Sequence, residues 1–117
     1  MQKITVTGNI VKDAERRRNS NGKYFVVFRV ACDEKWLSGT ETTYYDITCA
    51  DGKRTPYLTR GTSVTVTGTL RVRIAEGNNG NKYVNLYIYP GLRDISINSN
   101  KKAKNDDEKF QKKDFNG

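Results

Sequence analysis

The chain has 117 residues, with 21 Lys/Arg against 13 Asp/Glu, a formal net charge of +8 and no histidine. That length holds one domain with a modest core, and the charge points to a polyanionic partner while saying nothing of fold. The missing histidine weighs against hydrolase or transferase chemistry, which most often recruits it as acid or base.

Residues 3–11 read as a first strand with Ile4, Val6 and Ile10 inward, and Gly8 marks a bulge or tight bend. Residues 12–23 form a polar connection that carries Arg16-Arg17-Arg18 and the turn signal Asn21-Gly22. Tyr24 to Lys35 is the second strand, with Val26, Phe28, Val30 and Cys32 on one face and Phe25, Val27, Arg29 and Ala31 on the other. A flexible loop follows from Trp36 to Thr42. The third strand, Thr43 to Ala50, turns Tyr45, Ile47 and Cys49 inward and Tyr44, Asp46 and Thr48 outward.

Thr55-Pro56 is a helix start and Gly61 a stop, leaving room for little more than one turn. From Ser63 to Ile74 the alternation is sustained. Val64, Val66, Leu70, Val72 and Ile74 make a dry side, and Thr65, Thr67, Thr69, Arg71 and Arg73 a polar and cationic side. Glu76 to Asn81 turns the chain back. Lys82 to Tyr89 is the fifth strand, with Val84, Leu86 and Ile88 opposed to Tyr83, Asn85, Tyr87 and Tyr89. Pro90-Gly91 breaks it, and Leu92 to Ile97 adds a short final strand.

From Asn98 the composition turns to Asn, Ser, Lys, Asp and Glu. Such a segment buries too little apolar surface to offset its ordering entropy, and a disordered tail over 98–117 is expected. Residues 1–97 keep 15 Lys/Arg and 9 Asp/Glu, so the cationic character belongs to the folded part. Cys32 and Cys49 lack Cys-x-x-Cys spacing and read as buried thiols rather than metal ligands, with a reduced, cytoplasmic setting and no cofactor. The start of the chain lacks an apolar signal region, no run reaches membrane-spanning length, and no membrane partner is expected. Strand–strand–strand–short helix–strand–strand is the order of the OB fold, an all-β, five-stranded Greek-key barrel whose second and third strands commonly bind oligonucleotides or oligosaccharides.

Several segments resemble the bacterial single-stranded DNA-binding protein (SSB) family over about residues 2–97. They are Ile4-Thr5-Val6-Thr7-Gly8-Asn9-Ile10, then Asn21-Gly22 leading into Phe28-Arg29-Val30-Ala31. Ala31 to Trp36 is similar to the family's Ala-Thr-Ser-Glu-x-Trp. Tyr57-Leu58-Thr59-Arg60-Gly61-Thr62-Ser63-Val64, continuing to Gly68-Thr69-Leu70-Arg71-Val72-Arg73, is similar to its Tyr-Leu-x-Lys-Gly-x-x-Val…Gly-x-Leu-x-x-Arg pattern. The resemblance implies a non-enzymatic homo-oligomer, a tetramer or a dimer, that coats single-stranded DNA in replication, repair and recombination. It also implies stacking by Trp36 and Tyr44, with Arg71 and Arg73 beside the groove. The alternatives are a primosomal replication protein of the same fold, an RNA-binding OB module, or a protein-interaction domain.

The chain departs from that pattern. Ala50 and Ala75 fill two stacking positions, and Asp46 stands where a basic or neutral residue is expected. The tail carries Asp106-Asp107-Glu108 before Lys109-Phe110 and ends Asp114-Phe115-Asn116-Gly117, unlike the family's acidic run closed by Pro-Phe that recruits replication proteins.

The residues themselves support single-strand binding. A ring in a basic groove stacks on any base, contributing roughly 1–3 kcal/mol. Tyr83, Tyr87 and Tyr89 either replace the absent rings or cover a subunit interface, and Phe25 either stacks or packs. Arg29, Lys35, Lys82 and the cluster Arg16, Arg17 and Arg18 join Arg71 and Arg73 as phosphate contacts. About four neutralised phosphates give a salt slope of about −3.

Overall fold

The computed structural model describes residues 2–99, which form six strands and one short turn. The strands are β1 (Lys3–Ile10), β2 (Glu15–Arg18), β3 (Tyr24–Trp36), β4 (Gly39–Ala50), β5 (Ser63–Glu76) and β6 (Lys82–Ser99). β1 pairs with both β5 and β3, β3 pairs with β4, and β4 runs parallel to β6, which pairs with β5. The circuit β1–β3–β4–β6–β5–β1 is therefore closed, and β2 is added to the free side of β3. Closure leaves the barrel proper without an open edge.

The inward residues of the five strands fill the barrel. Ile10, Val26, Val30, Ile47, Val64, Val66 and Ile88 are almost wholly buried, and Leu58 and Ile95 close the space beneath them. These branched side chains suit a narrow, tapered interior. On the outside, Thr5 bonds Thr67 at 2.8 Å and Thr7 bonds Thr65 at 2.9 Å. The threonine half of β5 is thus spent on its cross-strand neighbours in β1.

Several expectations need correction. The short helix is a single 3-10 turn, Thr55–Tyr57, and Thr55 does not cap it. Its hydroxyl instead donates to Asp51 at 2.7 Å and accepts from the Gly52 amide at 3.2 Å. The connection at 12–23 contains β2, because the edge of β3 offers unpaired backbone groups that Glu15–Arg18 can satisfy. The loop from Trp36 to Thr42 is nearly all strand: β3 and β4 stay in register to Trp36 opposite Gly39, and Thr42 donates to Asp33 at 2.6 Å.

Gly8 makes no bulge, since the β1–β5 register runs through it. A Cβ there would stand 2.3 Å from the Ala31 carbonyl oxygen, so glycine allows β1 to cross from β5 onto β3. Pro90-Gly91 does not end the fifth strand. A register shift opposite Val66–Gly68 absorbs the proline, and β6 continues to Ser99, where Asn98 donates to Thr65 at 2.9 Å. Of the expected tail, residues 100–117 lie outside the described residues.

The dry side of β5 also ends early. Val72 is 54% exposed, Ile74 71% and, across from it, Val84 63%. Here β5 and β6 have left the barrel as a projecting hairpin, and their inward alternation faces solvent. Among the described residues no helix is long and apolar enough to cross a membrane.

Candidate nucleic-acid interface

Register partners share a face of a sheet, so the pairings map the outer wall directly. One row crosses four strands: Arg71 on β5 lies opposite Tyr87 on β6, Tyr87 opposite Asp46 on β4, and Asp46 opposite Arg29 on β3. β4 and β6 pair only at Asp46–Tyr87 and Ile47–Ile88. Beyond that row the sheet splits into two arms, the β3–β4 hairpin and the β5–β6 hairpin. The β5–β6 arm carries Arg73 beside Asn85 and Ala75 beside Tyr83 on the wall face. The β3–β4 arm carries Ala31 beside Tyr44, with Lys35 further out. In the other direction the wall runs through Thr48, Val27 and Glu15 to Ala50, Phe25 and Arg17.

This wall gathers most of the expected site. Arg71, Arg73, Arg29, Arg17, Tyr44, Tyr83, Tyr87, Phe25 and Lys35 share it. Tyr44 is 54% exposed, while Tyr87 and Phe25 are half-buried. A groove of about 420 Å³ follows the wall, lined among others by Tyr87, Asp46, Arg29, Thr48 and Arg17.

Four expected residues fall elsewhere. Trp36 is 55% exposed, but its alternation puts it on the reverse of the β3–β4 arm, the side opposite Tyr44. Lys82 stands opposite Glu76 on the reverse of the other arm. Arg16 and Arg18 project from β2 on the side away from Arg17, towards Tyr24. The Arg16 guanidinium lies 3.9 Å from the centre of the Tyr24 ring and bonds Asp51 at 2.8 Å; Arg18 lies 5.6 Å from that ring. A run of three cations on a strand cannot present all three to one face. Arg54 is also committed, donating to the Ile95 carbonyl.

The electrostatics of the wall are uneven. Arg29 Nε donates to Asp46 Oδ1 at 2.8 Å and Nη2 to Oδ2 at 3.4 Å. That hydrogen bond first, and the carboxylate charge second, hold the Arg29 guanidinium above its ordinary pKa. Arg17 donates to Glu15 at 2.9 Å and Lys12 to the same carboxylate at 3.4 Å. The Arg17 hydrogen bond, then Lys12, lower the Glu15 pKa. Sequence reasoning missed Glu15 and Lys12; the signal was the spacing Glu15-x-Arg17, which an edge strand places on one face. Among the described residues, Arg71 and Arg73 are in no such pair.

Among the described residues no group of three or more Cys, Asp or Glu side chains is disposed to hold a metal ion. Both cysteines are free, and burial pushes the Cys49 thiol up to about 11, away from the reactive thiolate.

A family model described as "Single-strand binding protein family" matches residues 1–90. Among solved structures, the small single-stranded DNA-binding protein from Streptomyces coelicolor superposes with a TM-score of 0.69 at 21% identity, covering 83% of this chain and 94% of that one. The Plasmodium falciparum SSB, solved in complex with single-stranded DNA, gives 0.64 at 20% identity, covering 83% and 92%. At these identities the likeness establishes the barrel fold. No curated protein sequence matches the chain.

Proposed function

The chain belongs to the single-strand binding protein family, and we propose on that premise that it coats single-stranded DNA without regard to sequence, along the outer wall of β3, β4, β5 and β6. Single-stranded DNA binding follows from the family. The path of the strand and the residues that hold it are our reading.

The observation that carries this reading is the row Arg71–Tyr87–Asp46–Arg29 with its flanking rings, Tyr44 and Tyr83. Aromatic faces take bases of any kind, and unpaired guanidinium groups take phosphates. A flexible single strand can follow a wall that splits into two arms; a duplex is stiff and hides its base faces, and no helix of the described residues could enter a major groove. Arg71 and Arg73 supply the phosphate contacts. Tyr87 and Tyr44 supply the stacking, with Tyr83 further along its arm. No step of this function makes or breaks a covalent bond.

Assembly into a homo-oligomer belongs to the same reading. The reverse of the β5–β6 arm exposes Val72, Ile74 and Val84 together, an apolar surface that a second copy can cover. Roles in replication, repair or recombination, in a reduced cytoplasmic setting that suits two free thiols, complete it. So does the division into an OB domain and a polar tail.

The test is fluorescence anisotropy of labelled oligo-dT, titrated at several salt concentrations with unlabelled competitors. Oligo-dT is expected to outcompete a duplex of equal length. Two phosphates neutralised by Arg71 and Arg73 give a slope of log affinity against log salt of about −1.4. Duplex competing as well as oligo-dT would overturn the proposal.

A further inference from the structure

Asp46 sits in the middle of the proposed DNA wall, where a carboxylate is the wrong charge for the partner. It is not at the rim. Its register neighbours are Arg29 on one side and Tyr87 on the other, and Tyr87 in turn neighbours Arg71. Its two oxygens take two guanidinium nitrogens of Arg29, at 2.8 and 3.4 Å, which is how a phosphate group would take them.

We propose that Asp46 occupies the place of a nucleic-acid phosphate at Arg29, so that Arg29, although on the wall, holds no phosphate and the backbone of the strand is confined to the β5–β6 side. This inference rests on the DNA-binding reading above and adds to it the residue that sets where the phosphates lie.

The physical argument has two parts. An exposed ion pair is weak in itself, and a phosphate could separate it cheaply. Separation, however, would leave the Asp46 carboxylate beside the incoming phosphate. Asp46 cannot move off, because β4 is held on both sides, by β3 and by β6. Two anions at that spacing repel, so the pair stays closed and phosphates settle at Arg71 and Arg73, which face no carboxylate among the described residues.

The same pattern repeats at the edge of the wall, where Glu15 takes Arg17 and Lys12. On the β2–β3–β4 side carboxylates thereby take up Arg29, Arg17 and Lys12, leaving only Lys35, far out on the arm, without one among the described residues. Tyr44, with Tyr87 at the seam, offers bases a platform around the closed Asp46–Arg29 pair. Phosphates on one side and bases on the other fix how the strand lies across the barrel.

The experiment measures oligo-dT affinity and its salt slope for the full chain, for Asp46→Asn, and for Asp46→Asn combined with Arg29→Gln. Asp46→Asn frees Arg29 to neutralise a phosphate. It is expected to tighten binding several-fold at moderate salt and to steepen the slope by about 0.7, the share of one phosphate on a single strand. Adding Arg29→Gln is expected to return the slope to that of the unaltered chain. An unchanged slope in Asp46→Asn would overturn the proposal. Should that variant fail to fold, the double variant still decides: a slope flatter than the unaltered chain's by about 0.7 would mean that Arg29 was holding a phosphate all along. Failure of the unaltered chain to bind oligo-dT would refute the underlying reading instead, so the two failures are distinguishable.

Discussion

The two sides of the outer wall both carry cations and use them differently. On the β5–β6 arm, Arg71 lies across from Tyr87 and Arg73 across from Asn85, with Thr69 before them on the same face, and neither arginine meets a carboxylate among the described residues. On the β2–β3–β4 side, Arg29, Arg17 and Lys12 are each matched to Asp46 or Glu15 at 2.8 to 3.4 Å. A count of positive residues would favour the β2–β3–β4 side, which also holds Lys35. What a polyanion meets is the charge left after pairing, and that is concentrated on β5.

Four variants probe this contrast. The largest effect is expected for Arg71→Ala with Arg73→Ala. Hydrogen bonds to charged groups contribute roughly 1.5–3 kcal/mol each, so losing two should weaken oligo-dT binding by about 100-fold or more and flatten the salt slope towards zero. Affinity within a few-fold of the unaltered chain would break the comparison at its base. Next is Tyr87→Ala, at the seam between the two sides. Loss of one stacked base costs roughly 1–3 kcal/mol, about tenfold or more in affinity, with little change in salt slope because no phosphate contact is removed. Tyr87→Phe keeps the ring and is expected to retain binding. Trp36→Ala should do less. Its ring lies on the reverse of the β3–β4 arm, so an oligomer of about 6 nucleotides should be indifferent to it, whereas one of about 20 can round the arm and lose a few-fold. Strong quenching of Trp36 fluorescence by the short oligomer would instead place the strand on the reverse face.

Much of this was legible in the residues, because the barrel is written in strict alternation. Val26, Phe28, Val30 and Cys32 are buried as their parity requires, and so are Val64 and Val66. The same alternation misled where the strands outrun the barrel. Val72, Ile74 and Val84 keep the inward pattern after there is no longer an inside, and periodicity cannot see where a core ends. The edge strand β2 was hidden for the opposite reason. Glu15–Arg18 has no apolar parity, and its pairing is held by backbone hydrogen bonds to β3 that any sequence can make. Likewise, charge runs in sequence say nothing of who neutralises whom. Arg29 and Asp46 are 17 residues apart and meet only through the β3–β4 register.

The smallest effect expected is in acid, and it bears on the paired side alone. The Asp51 pKa lies below its ordinary 3.8, chiefly through the hydrogen bond from Thr55 and then through the charge of Arg16; Glu15 lies below 4.5 through Arg17 and Lys12. A carboxyl whose folded pKa is depressed stabilises the fold fully above its unfolded value, and the contribution is lost as pH falls through the folded one. Both groups hold β2, Glu15 from within it and Asp51 through Arg16, so the edge strand should loosen first on acidification. Backbone amide resonances of Glu15–Arg18 are therefore expected to shift as pH falls below about 4. Those of Arg71, Val72 and Arg73, which have no carboxylate partner to lose, should stay in place over the same range. Glu15→Gln with Asp51→Asn removes the titrating groups and should abolish the shift. Equal movement on both sides would mean that the acid response belongs to the whole barrel, and that pairing with carboxylates does not distinguish one half of its wall from the other.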